Sequence, residues 1–240
     1  MQSAKVLSMK MSIIIPVYNE AKTLRELLRR IEKISLGNIQ KEIIIVDDCS
    51  TDGSREIIKK LGNRYVKILL NKNQGKGAAI KNGIKSATGD FIIFQDADLE
   101  YDPRDYSRLL KPIIKNNADI VIGSRFIGKK FVPFGKNKTP HRVHWIGNKS
   151  LTFIFNLLYR TALTDIEPCY KVFRSNVLRS INVSSNRFEY DIELMCKAIK
   201  NGYKLLQLPI SYNPRSFKEG KKITWIDGVK AAYYIIKYRF

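Results

Sequence analysis

The sequence predicts an α/β fold, a mostly parallel sheet with helices on both faces. Three observations predict it. Short continuous runs of Ile and Val recur through the first half of the chain, the way strands buried on both faces read. Helical patterns separate them. Polar residues of specific chemistry close four of the runs, and ligands of open parallel sheets bind beyond the carboxyl ends of the strands.

The first strand, "MSIIIPVY", leads into Pro16-Val17-Tyr18-Asn19-Glu20. The helix Thr23–Ile34 follows, with Leu24, Leu27, Leu28 and Ile31 at helical spacing. The second strand, "KEIIIVDD", ends in Asp47-Asp48-Cys49-Ser50 and Thr51-Asp52-Gly53, before a helix over Gly53–Leu61. Ser50 and Asp52 read as caps of that helix. Asp48, nearer the strand end, reads either as a cap or as a hydrogen-bond partner of a base or ribose. The third strand is "YVKILL". After it, Gly75-Lys76-Gly77 opens the helix Gly77–Ser86. Glycines let backbone approach a ligand and a helix N-terminus favours anions, but Lys76 reads equally as a solvated turn residue.

The fourth strand, "DFIIFQDAD", runs straight into acids: Asp96, Asp98, Glu100 and Asp102. Residues two apart in an extended segment point to one side. Asp96 and Asp98 therefore repel unless a cation sits between them, and hard carboxylate oxygens suit Mg²⁺ or Mn²⁺. Asp102 precedes Pro103, at the first position of a helix over Pro103–Ile114, and reads as its cap. The fifth strand, "ADIVIGSR", ends in Gly123-Ser124-Arg125.

The second half differs. Phe126–Trp145 reads as a long loop carrying Lys129, Lys130, Lys136, Lys138, His141 and Arg142; such loops are usually functional. Ile146–Arg160 reads as a helix, apolar on one side. Asp191–Lys200 reads as an amphipathic helix ended by Asn201-Gly202, "YKLLQLPISY" as a strand, and Thr224–Arg239 as a final helix. No linker or repeat stands out, which gives one domain over 1–240 with a specialised C-terminal portion.

At 240 residues, 44% hydrophobic and 27% charged, the chain has ample material for a core, so disorder is excluded. Its 43 Lys and Arg against 22 Asp and Glu give +21. That points to an anionic partner or to a solvated basic surface. Cys49, Cys169 and Cys196 have neither zinc spacing nor a disulfide pattern, which fits a reducing, cytoplasmic compartment. The apolar core of the first residues is too short for a signal peptide, and no run is long enough to span a membrane.

In order and spacing, "SIIIPVYNE", "IIIVDDCSTDGS", "NQGKGAAIKNG", "GDFIIFQDADLEYDP" and "IVIGSR" resemble the family 2 glycosyltransferases of GT-A fold, over Ser12–Arg125. "TDIEPCYKVFR", "FEYDIELMCKAIKNGYKLLQLPI" and "PRSFKEGKKI" extend the likeness to nearly the whole chain. They are most similar to the dolichol- and polyprenyl-phosphate mannose or glucose synthase branch, without that branch's optional C-terminal membrane spans. The resemblance implies a Rossmann-like nucleotide-sugar half, 1–125, and an acceptor half, 126–240. It implies that Pro16, Tyr18 and Glu20 hold the nucleotide, with Val46 and Asp48 near base and ribose. Asp96, Ala97 and Asp98 become a DxD motif for Mg²⁺ or Mn²⁺ and the diphosphate, with Glu100 as a further ligand. Lys76 and Arg125 face phosphate; Arg215 and Lys221 clamp it. Arg suits phosphate because its planar fork binds two oxygens. Cys49 stands where relatives commonly carry Gly.

The implied reaction is an inverting transfer of sugar from a GDP-mannose or UDP-glucose type donor to a polyprenyl or dolichyl phosphate, by an enzyme peripheral on the cytoplasmic face of a membrane. A phosphate monoester, with a second pKa of about 6, attacks without a base. A sugar hydroxyl needs one. Relatives that use hydroxyls carry Glu-Asp where this chain has Tyr190-Asp191. Asp191 stays open as the base of a hydroxyl-using alternative or as a helix N-terminal charge. Trp145, Ile146, Leu151, Phe153, Ile154, Phe155, Leu157, Leu158 and Tyr159, and on the last helix Trp225, Tyr233, Tyr234, Ile235, Ile236 and Tyr238 beside Lys230, Lys237 and Arg239, read as core or as an interfacial surface on anionic lipid. A nucleic-acid-binding protein is a more remote alternative: the charge allows it, but no recognition motif accompanies it.

Overall fold

A computed structural model of the chain describes residues 9–130, 132, 142–215 and 225–240, with 225–227 by backbone alone. Lys136, Lys138, His141 and Lys221 lie outside the described residues, as does the Trp225 side chain.

Seven strands form one sheet: β1 (Lys10–Val17), β2 (Gln40–Asp47), β3 (Tyr65–Leu69), β4 (Phe91–Phe94), β5 (Ile120–Ser124), β6 (Lys171–Arg174) and β7 (Leu205–Pro209), in the order β3-β2-β1-β4-β6-β5-β7. The chain builds outward from β1 to β3, then returns to the other side of β1 as β4. β1 pairs in parallel with both β2 and β4. That reversal opens a crevice beyond the carboxyl ends of β1 and β4, where such sheets bind ligands.

Helices α1 (Leu24–Lys33), α2 (Ser54–Lys59), α3 (Lys76–Ser86), α4 (Tyr106–Ile114), α5 (Arg142–Tyr159), α6 (Ser175–Ser180), α7 (Glu189–Lys200) and α8 (Trp225–Lys237) complete the architecture. The reasons are local. α1 buries Leu24, Leu27, Leu28 and Ile31, the positions its spacing picks out. Ile13, Ile14 and Ile15 of β1 and Ile44 and Ile45 of β2 are fully buried, because helices cover both faces of these central strands. Asp102 caps the 3-10 turn Pro103–Asp105 by accepting the Arg104 N–H at 2.9 Å. No helix among the described residues is long and apolar enough to cross a membrane.

The structure corrects the sequence reading in three places. β6 is an unforeseen strand, antiparallel to both neighbours β4 and β5; with two apolar residues between Lys171 and Arg174, it leaves little periodic signal. α6 is likewise too short to read. α5 begins at Arg142, not Ile146, so its mixed first turn was assigned to the basic loop.

One buried carboxylate ties the second half together. Glu193 of α7 accepts the Ser184 and Ser185 N–H groups at 3.0 and 2.9 Å, the Lys197 ammonium at 2.5 Å and the Tyr238 hydroxyl at 2.9 Å. Burial pushes its pKa up, but these donors outweigh burial and hold it below the usual carboxylate range. Glu193→Ala is expected to cost about 3 kcal/mol in chemical denaturation, since it strands a lysine and several N–H groups. The sign of the pH effect follows from the depressed folded-state pKa. The stabilisation is full above the unfolded value of about 4.3 and is lost as pH falls below it. A cost below about 1 kcal/mol at pH 7 would refute the role of the hub.

Candidate active site

A cavity of about 1540 Å³ opens beyond the carboxyl ends of the strands. Pro16, Tyr18 and Glu20 after β1, and Asp48 after β2, line its near side. Asp96, Ala97, Asp98 and Glu100 after β4 line its floor. Lys76, Arg125, Asp191 and Arg215 reach it from α3, β5, α7 and the segment after β7. Of the described residues expected to hold nucleotide, phosphate or metal or to act as a base, Val46 alone is not among its lining; it is fully buried in the core.

The acids of the β4 end are offset from within the chain. Lys76 Nζ lies 2.6 Å from Asp96 Oδ1. Burial pulls the Lys76 pKa down, but the charges of Asp96, Cys169 and Asp191 and the hydrogen bond to Asp96 together outweigh it, so the ammonium is held above its ordinary range. Arg215 bridges the other acids, at 3.1 Å from Glu20, 3.2 Å from Asp98 and 3.8 Å from Glu100. Its backbone is fixed as well: the Arg215 N–H donates to Glu100 Oε1 at 2.9 Å, and the Tyr212 hydroxyl donates to Glu100 Oε2 at 2.8 Å. The Arg215 Nε is buried without a hydrogen-bond partner among the described residues.

Among the described residues, the three acids of the β4 end, Asp96, Asp98 and Glu100, thus face two cations, Lys76 and Arg215. Asp98 shows the consequence. Burial first, then the charges of Asp96 and Glu100, push its pKa up to about 7, against the Glu100 N–H and Arg215. A divalent cation fits this surplus. No group of three or more His, Cys, Asp or Glu among the described residues is arranged to hold a metal alone. Mg²⁺ typically needs only one or two protein carboxylates, with phosphate and water completing its shell.

Other expected residues carry structural duties too. Asp48 accepts the Gln74 and Gly75 N–H groups, each at 2.8 Å, and so fixes the loop entering α3. A Cβ on Gly75 or Gly77 would lie 2.7 or 2.6 Å from atoms of Asn186, Arg187 or Tyr190, so these glycines admit the loop before α7 and not a ligand. The Ala78 N–H at the start of α3 donates to Asn186 O at 2.9 Å, not to an anion. Ser50 caps no helix: its hydroxyl accepts the Asn19 N–H at 3.0 Å. Asp52 accepts both the Ser54 N–H of α2 and the Ala21 N–H, stitching two loops together. Cys49 takes φ 64°, where Gly is favoured. The turn keeps its left-handed geometry at a cost of about 1–2 kcal/mol.

Sequence reasoning missed the partners of the far side. Arg125 forms a bidentate pair with Asp165, Nε and Nη2 each at 2.8 Å. Asp191 pairs at 2.9 Å with Lys171, a fully buried lysine. Glu167 also lines the cavity. Burial, partly offset by Arg125 and reinforced by Asp191 and Asp165, pushes its pKa up to about 7. The signal for Glu167 was an acid set between Ile166 and Pro168 in an otherwise apolar stretch.

The model of Glycosyl transferase family 2 matches residues 12–181. The chain is 32% identical over 231 residues to an uncharacterized protein of Methanocaldococcus jannaschii, covering 93% of this chain and 90% of that one. It is 32% identical over 219 residues to the dolichol-phosphate mannosyltransferase of Pyrococcus furiosus, covering 89% of this chain but only 59% of that one. It is 29% identical to an undecaprenyl-phosphate 4-deoxy-4-formamido-L-arabinose transferase of Edwardsiella ictaluri, covering 88% of this chain and 62% of that one. Its fold matches glucosyl-3-phosphoglycerate synthase of Mycobacterium tuberculosis, solved with Mn²⁺, UDP and phosphoglyceric acid. That match has a TM-score of 0.71 and 15% identity, over 96% of this chain and 78% of that one.

The raised Asp98 pKa carries a stability prediction. Its folded value of about 7 lies above the unfolded value, so the native state binds the extra proton and loses stability as pH rises from about 4 to about 7. Without ligand, Asp98→Asn therefore melts higher than the unsubstituted protein at pH 8, by about 2–4 °C per kcal/mol relieved. The gap closes at pH 5. A lower melting temperature at pH 8 than at pH 5, relative to the unsubstituted protein, would refute the charge surplus.

Proposed function

The chain belongs to glycosyl transferase family 2, and on that premise we propose that it moves a hexose from a nucleotide-sugar of the GDP-mannose or UDP-glucose type to a polyprenyl or dolichyl phosphate, with inversion, at the cytoplasmic face of a membrane. One observation carries the reading. The cavity that begins at the strand-end polar residues continues between α5 and α8, where Leu151, Ile154, Val229 and Ala232 line it. A polar donor and an apolar tail each find matching surface in one space.

In this reading 1–125 binds the donor and 126–240 the acceptor. Asp96, Asp98 and Glu100 would hold Mg²⁺ or Mn²⁺, which when bound stabilises negative charge on the leaving diphosphate. Lys76 and Arg215 supply fixed positive charge beside it. Arg125, oriented by Asp165, would offer a further N–H donor to a phosphate oxygen. Lys221 would join this clamp. Pro16, Tyr18, Glu20, Val46 and Asp48 would shape the nucleotide pocket. The lipid phosphate, largely dianionic above a pH of about 6, attacks without surrendering a proton. Asp191 then holds Lys171: were it to take a proton, a fully buried ammonium would lose its partner.

Both outer helices are divided between core and surface. On α5, Phe155 and Tyr159 are buried while Phe153 and Leu157 are each 69% exposed. On α8, Ala231 and Ile235 are buried while Val229, Tyr233 and Ile236 are exposed. The Tyr159 hydroxyl donates to Ile235 O at 3.0 Å and joins the two. Exposed apolar residues among Lys230, Lys237 and Arg239 suit an anionic lipid headgroup layer.

The test is incubation with labelled sugar nucleotides and polyprenyl phosphate, with and without Mn²⁺, followed by organic extraction. Metal-dependent label in the organic phase is expected; its absence with every donor overturns the reading. Asp191→Asn, checked for folding, is expected to keep most activity. A loss of several orders of magnitude would favour a hydroxyl acceptor with Asp191 as base. In vesicle flotation the protein is expected to bind anionic vesicles in preference to neutral ones, and Phe153→Ser with Leu157→Ser to weaken that binding. Unchanged flotation would contradict the membrane face.

A further inference from the structure

We propose that Glu167 is the specificity residue that reads the neutral hydroxyls of the transferred sugar and turns away sugars bearing a carboxylate. The inference rests on the donor reading above and names what that reading leaves open. Beyond the β4 acids the cavity is lined by Arg125, Glu167 and Asp191. Two buried partners stand behind them: Asp165 holds Arg125 at 2.8 Å through two bonds, and Lys171 holds Asp191 at 2.9 Å and the Pro168 carbonyl at 2.5 Å. Glu167 stands in the field of both pairs, and three acids there face two cations. The Asp191 charge also acts on Lys76, so the Glu167 set adjoins the Lys76–Asp96 pair. A sugar attached to a diphosphate at Asp96 and Asp98 enters this region first.

The Glu167 carboxylate accepts no hydrogen bond among the described residues, although it lines the cavity. It is also held on a firm backbone. Its own N–H points to Asp165 Oδ1 at 3.4 Å, Ile166 before it is fully buried, and Pro168 after it fixes φ. A carboxyl group placed so, without a donor, accepts readily from vicinal hydroxyls. The surplus acid in the same region makes an anionic sugar costly there, because like charges close together in a partly dry cavity repel strongly.

Calorimetric titration with Mn²⁺ present tests the inference, using UDP and GDP, UDP-glucose and GDP-mannose, and the carboxylate counterparts UDP-glucuronate and GDP-mannuronate. The unsubstituted protein is expected to prefer the neutral sugar. Glu167→Gln, which keeps the shape, and Glu167→Ala, which removes it, are expected to shrink that preference by roughly 10-fold or more, the size of a lost charged hydrogen bond. UDP or GDP alone should bind all three proteins equally. An unchanged preference in both variants, or equal weakening of the free diphosphate and its sugar conjugate, would overturn the role of Glu167. Failure of the unsubstituted protein to bind any sugar nucleotide would instead overturn the donor reading, and this inference with it.

Discussion

Glu20, Asp96, Asp98 and Glu100 converge at one end of the sheet, where, among the described residues, Lys76 and Arg215 pair with them. The topology forces this meeting. The reversal between β1 and β4 delivers the ends of two buried strands to one crevice, and neither strand can turn its terminal acids away without losing its place in the core. Much of the surrounding structure follows from holding these charges in place. Lys76 sits at the head of α3 because Asp48 pins the preceding loop, and Arg215 reaches the acids because Glu100, itself held by the Tyr212 hydroxyl, accepts its backbone N–H. Like charges held this close cost stability, and the proposed dication and diphosphate would relieve that cost.

The second half of the chain repeats the arrangement at lower charge. Arg125–Asp165 and Lys171–Asp191 are each closed pairs, and each orients a side chain toward the cavity while leaving little net charge. Glu193 serves the same half from behind, locking the Ser184–Ser185 turn to α7 and α8. The turn in turn packs Asn186 and Arg187 against Gly75, so the second half of the chain directly shapes a loop of the first. α5 and α8 then divide their apolar residues between this core and the outer surface. Core packing and an exposed apolar face therefore coexist on one helix, at different angles around its axis.

Much of this was legible in the sequence. Ile-rich runs placed β1, β2 and β4, and helical spacing placed the buried face of α1, because both signals are periodic and local. The acids of the β4 end were legible because a buried strand has no other reason to end in them. Pairings between distant segments were not. Nothing local joins Arg125 to Asp165, Asp191 to Lys171 or Glu20 to Arg215, 195 residues apart. β6 was missed because its place is set by β4 and β5 on either side, not by its own four residues. Gly75 and Gly77 looked like a phosphate cradle; the space they leave is filled by α7 and the loop before it, which only tertiary structure reveals.

The central claim is that Arg215 stands, electrostatically, where the proposed dication would bind beside Asp98 and Glu100. Mn²⁺ titration followed by electron paramagnetic resonance, without nucleotide, measures it directly. The account predicts that Arg215→Ala binds Mn²⁺ more tightly than the unsubstituted protein, because the ion no longer competes with a guanidinium for the same carboxylates. Equal or weaker binding by the variant would contradict it.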